Sequence, residues 1–68
     1  MKHVRECREK LGLTQQDLAH KVGLSQETIS QYEIGTRVPN INVAREIAEA
    51  LHESLDNIFF GKNISKWK

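Results

Sequence analysis

The chain contains few aromatic side chains, one cysteine and one proline, and each shortage excludes something. A single cysteine rules out an internal disulfide and any metal site built on two thiolates, so side-chain packing has to hold the fold. No apolar run approaches the roughly 20 residues that span a bilayer, and no signal-peptide pattern opens the sequence. A soluble cytoplasmic protein with no membrane association is expected. His3, His20 and His52 are too far apart to make a helical ligand pair, no glycine-rich phosphate loop follows a strand, and no Ser, His or Asp sits in a nucleophile motif. No metal, cofactor, small-molecule ligand or enzymatic activity is therefore expected. At 68 residues the chain is one domain, near the lower size at which a core sustains a fold unaided.

Basic charge is also scarce where it would matter most for binding a polyanion. The net charge is +1, but between Thr14 and Thr36 the only basic residue is Lys21, against Asp17, Glu27 and Glu33. Residues 38–60 hold Arg45 against Glu46, Glu49, Glu53 and Asp56. The first 13 residues carry Lys2, Arg5, Arg8 and Lys10 against Glu6 and Glu9, and the tail adds Lys62, Lys66 and Lys68. One acidic flank between basic ends suggests a side turned away from any polyanion.

What is present is helical periodicity with start and stop signals. Val4, Cys7, Leu11 and Leu13 recur at helical or near-helical spacing, and Gly12 stops that first helix. Thr14 is a good N-cap for a second helix over residues 15–22, with Asp17 placed well for the dipole. Gly23 supplies the left-handed turn, and Leu24 plugs it into the core. Ser25 caps a third helix with Ile29 and Tyr32 inward, which Gly35 ends. After a loop over 36–39, Asn40 caps a fourth helix with Ile41, Ala44, Ile47, Ala48 and Leu51 on one stripe. Ser54 caps a short fifth helix with Leu55, Ile58 and Phe59 inward. The fold class expected is all-α, a compact five-helix bundle over residues 1–60, followed by a short tail, 61–68.

Behind the inward set Leu18, Ala19, Val22, Leu24 and Ile29, the third helix leaves Gln26, Glu27, Thr28, Ser30 and Gln31 outside for a partner. Such side chains can read base edges. A glutamine amide pairs with adenine N6 and N7, a glutamate accepts from cytosine N4, and a threonine methyl meets the thymine methyl. Taken singly, each is ordinary solvated surface.

The pattern T-Q-x-x-L-A-x-x-x-G-L-S-x-x-x-I-S-x-Y-E-x-G-x-R-x-P, within residues 14–39, closely resembles the phage-repressor helix-turn-helix family, the Cro and XRE-like regulators with a lambda-repressor-like fold. The likeness runs from residue 4 to about residue 60. It implies a homodimer on double-stranded operator DNA, regulating transcription, with the third helix in the major groove. It marks Gln26, Glu27, Thr28, Ser30 and Gln31 as the DNA-facing set, each fitting a base edge or a neighbouring phosphate. Gln15 matches the family position that clamps a phosphate at a helix N-terminus, and Thr36 and Arg37 match a second backbone clamp. Ser25 is a cap first and a phosphate contact second.

The resemblance also implies an ion pair between Arg8 in the first helix and Glu33 ending the third. Pairing of two copies is expected around the fifth helix and tail, through Leu55, Ile58, Phe60 and Trp67. Three positions depart from the family pattern: Ile34 replaces an asparagine, His52 stands where a glycine ends the fourth helix, and Cys7 replaces a leucine. The runner-up function on the same fold is an antitoxin or adaptor whose partner is a protein. Its weakness is that the tail is short for covering a toxin.

Overall fold

The computed structural model describes residues 1–60, with the side chains of Lys2 and Phe60 outside that description. These residues form five α-helices, α1 Lys2–Lys10, α2 Gln15–Val22, α3 Gln26–Ile34, α4 Ile41–Leu51 and α5 Leu55–Phe60. No strand occurs among them.

The helices from α2 to α5 begin where short-range chemistry tells them to. At α2 the Thr14 hydroxyl accepts from the Asp17 amide at 3.0 Å while the Asp17 carboxylate accepts from the Thr14 amide at 2.9 Å, a reciprocal capping box. Ser25 accepts from the Thr28 amide, Asn40 from the Val43 amide and Ser54 from the Asn57 amide, at 3.1, 2.9 and 3.1 Å. Each bond satisfies a donor that the first helical turn would otherwise leave orphaned. Pro39 and Ala44, the two staple positions around the α4 cap, are both buried.

The ends are equally local. Gly23 at φ 72° closes α2, with the Leu24 amide reaching back to the Ala19 carbonyl at 2.9 Å. α4 ends on His52, which holds φ 59° and ψ 40°, a left-handed conformation that a non-glycine residue adopts at a cost. The Glu53 amide then bonds the Ala48 carbonyl at 2.9 Å.

α2 packs on α3 and α4, α1 on α3 and α5, and α4 on α5. Val4, Leu18, Ile29, Ile47, Leu51 and Ile58 are the largest fully buried side chains and join the five helices into one core with Cys7, Ala19, Tyr32 and Ala48. Burying an aliphatic side chain contributes about 1.5–3 kcal/mol, the main favourable term for a chain of this size without disulfides. Val22, Leu24, Leu55 and Phe59 are half-buried against that core.

Two apolar residues of the helical pattern lie outside it. Leu11 is 46% exposed, because α1 ends at Lys10 and the chain turns away at Gly12, φ 74°, leaving Leu13 to take the inward place. Ile41 is 57% exposed, because it is the first residue of α4 and burial of that stripe starts only at Val43 and Ala44.

Candidate nucleic-acid interface

α3 has the core on one side and a mainly polar face without Lys or Arg on the other. At roughly 100° per residue, Gln26, Ser30, Ile34, Glu27 and Gln31 fall on one arc of about 140°. Ile29 and Tyr32, both buried, face away from it. Gln26 and Glu27 are exposed, Ser30 and Gln31 half-exposed. Ser25 and Thr28 are joined hydroxyl to hydroxyl at 2.8 Å, so the Thr28 methyl is the part of that side chain without a hydrogen-bonding role. Ile34 is 72% exposed and puts an apolar group on the same arc, two turns beyond Glu27 and one beyond Gln31.

Two ends of helices flank this face. At the start of α2 the cap uses the Thr14 and Asp17 amides, which leaves those of Gln15 and Gln16 with no intrahelical carbonyl to bond. A helix start with two such donors suits an anion. The capping amide first, and then the Thr14 hydroxyl, hold the Asp17 carboxyl below its ordinary value of 3.8. Beyond α3, the Thr36 amide and hydroxyl both point back to the Gln31 carbonyl at 3.1 and 3.5 Å. Arg37 lies over the Tyr32 ring, 5.9 Å from its centre, which steadies an exposed guanidinium near the end of α3.

A buried polar network stands behind both. Arg8 donates through Nε to Glu33 Oε2 at 2.7 Å and through Nη2 to Oε1 at 3.1 Å, while Nη1 donates to the Leu13 carbonyl at 2.8 Å. The Arg8 and Glu33 side chains are only 9% and 3% exposed. Hydrogen bonding to Glu33 holds the Arg8 guanidinium even more firmly charged than usual, against the opposing effect of burial. Glu33 Oε1 also accepts from Gln15 Nε2 at 3.0 Å, a contact that the spacing of these residues in the sequence does not reveal.

Other expected positions fare differently. Ile58 is completely buried in the core and offers no surface to a second copy, and Leu55 is half-buried against the same core. α5 spends the Ile58 side chain on the core shared with α1 and α4. Trp67 and the Phe60 side chain lie outside the described residues. Cys7 is buried, with the Asn57 amide 3.9 Å from its sulfur. Burial first, then the Glu53 carboxylate, push its thiol above the ordinary value of 9.0. Among the described residues no group of three His, Cys, Asp or Glu side chains is placed to hold a metal ion, and no helix is long and apolar enough to cross a membrane.

The sequence has close parallels. A family described as helix-turn-helix matches residues 4–58. The chain is 44% identical over 57 residues to a protein of Methanothermobacter thermautotrophicus named an HTH-type transcriptional regulator, a match covering 82% of this chain and 83% of the other. A protein of the same name from Archaeoglobus fulgidus is 36% identical over 64 residues, covering 94% and 91% of the two chains. The human endothelial differentiation-related factor 1 is 37% identical over 65 residues, 96% of this chain but 44% of the human one.

Proposed function

This chain belongs to the helix-turn-helix family of regulators, and from that premise we propose that it is a sequence-specific repressor of transcription acting as a homodimer on a palindromic operator. α3 enters the major groove of double-stranded DNA. Gln26, Glu27, Thr28, Ser30 and Gln31 meet base edges or adjacent phosphates. Gln15, Ser25, Thr36 and Arg37 hold the backbone from both ends of the unit.

The observation that carries this reading is the arc of α3. Four polar side chains stand exposed or half-exposed directly behind a buried Ile29 and Tyr32, and α3 follows a left-handed turn at Gly23. The absence of Lys and Arg from that arc supports pairing. Each phosphate neutralised adds to affinity, and a domain that neutralises few gains most from two half-sites. A two-fold places two recognition helices about 34 Å apart, one helical turn of DNA.

Selection from a randomised duplex pool tests this directly. An enriched palindrome is expected, and a pool that stays random after several rounds removes the regulator reading. The alternative, an antitoxin or adaptor with a protein partner, draws support from Ile34, Val38 and Ile41, which are 72%, 71% and 57% exposed. Under that reading the pool stays random.

A further inference from the structure

We propose that Glu33 is a positioning residue for DNA binding, holding the Gln15 carboxamide at the start of α2 so that it can grip a phosphate. This rests on the DNA-binding reading above. Glu33 ends α3 and Gln15 opens α2, and the 3.0 Å bond between them ties the reading helix to the helix start that faces the backbone.

An amide nitrogen carries two protons. Glu33 takes one from Gln15 Nε2, which fixes the rotation of the group and leaves the second proton committed to one direction. The Gln15 and Gln16 amides of the same turn have no intrahelical partner, so that second proton joins a ready-made set of donors. A carboxylate near a phosphate would ordinarily repel it. Here both oxygens are covered by Arg8, so the anchor carries no net charge toward the DNA. The third Arg8 bond, to the Leu13 carbonyl, fastens the residue just before the Thr14 cap. Arg8 and Glu33 thus hold the start of α2 from two sides, once through the Gln15 side chain and once through the Leu13 carbonyl two residues ahead of it.

An ion pair that only stabilises the fold makes a different prediction, and a thermodynamic cycle on the full chain separates the two. The probe is the duplex that the wild-type chain enriches from the randomised pool. Arg8→Leu with Glu33→Leu replaces the buried pair by apolar side chains, a change that such sites often tolerate. In the wild-type background Gln15→Ala is expected to weaken binding about tenfold. In the paired-leucine background it is expected to change affinity less than about twofold, because Gln15 has already lost its anchor.

Equal losses in both backgrounds overturn the positioning role and leave DNA binding standing. A wild-type chain that enriches no duplex overturns the DNA-binding reading, and the positioning role falls with it. Should the paired-leucine chain fail to fold, nuclear magnetic resonance of the wild-type chain without DNA decides. The Gln15 side-chain amide is expected to exchange about tenfold more slowly than those of Gln16 and Gln26. Exchange at the same rate as theirs overturns the proposal.

Discussion

Glu33 and Arg8, 25 residues apart in the chain, meet in two hydrogen bonds of 2.7 and 3.1 Å with both side chains almost wholly out of water. Desolvating two charges is expensive, so such a pair adds little net stability, but breaking it strands a buried charge. Arg8→Ala or Glu33→Ala alone is expected to cost about 3–5 kcal/mol, and the double substitution less than the sum. Urea unfolding of the four chains checks this. A coupling below about 0.5 kcal/mol would mean that the two side chains are energetically independent.

The reciprocal cap at α2 makes a second prediction. Thr14→Ala is expected to cost about 1 kcal/mol. The Asp17 carboxyl is held below its ordinary value by the Thr14 amide and hydroxyl. A depressed carboxyl contributes stability that is present above the unfolded value of about 3.8 and lost as pH falls through the folded one. Asp17→Asn is therefore expected to be less stable than wild type at pH 7, with the gap closing as the pH drops below about 4. A gap that persists at pH 2 would assign the loss to something other than ionisation.

His52 holds a conformation that costs a non-glycine residue roughly 1 kcal/mol or more. His52→Gly relieves that strain but frees the unfolded chain somewhat, so a net gain of roughly 0.5–1 kcal/mol is expected. For a domain of this size that is a rise of a few degrees in melting temperature. An unchanged or lower melting temperature would show that the imidazole makes a compensating contact.

Cys7 should behave as core and not as a reactive thiol. Its burial and the nearby Glu53 charge both disfavour the thiolate, which is the form that reacts. Labelling by a thiol reagent at pH 8 is expected to be slow in buffer and to accelerate many-fold on crossing the urea midpoint. Fast labelling of the folded chain would place the sulfur in contact with solvent.

Gln15 and Gln26 should separate holding from reading. Gln15→Ala is expected to weaken binding to all duplexes alike, whereas Gln26→Ala should change which duplex is preferred. Competition binding with selected and scrambled duplexes measures both. An unchanged preference in Gln26→Ala removes that residue from the base-reading set.

Much of the fold was legible in the sequence because its boundary signals are short-ranged. Thr14, Ser25, Asn40 and Ser54 each cap a helix through a residue three places on, so no knowledge of tertiary structure was needed to place them. Leu11 and Ile41 follow the apolar pattern yet stay exposed, because periodicity reports spacing within a helix, not where the neighbouring helices end. The same blindness hid the Gln15–Glu33 bond, which exists only once α2 and α3 have met. The complete burial of Ile58 follows from the docking of α5 against α1, which is also a tertiary fact.

The caps have a kinetic consequence as well. Each closes over three residues, so the decision to start a helix is made before distant parts of the chain have found one another. Bundles dominated by such local contacts cross their folding barrier in about microseconds to milliseconds. The chain can therefore be opened and rebuilt quickly, and its lifetime in the folded state is set by how firmly the small core holds, not by a slow route back to it.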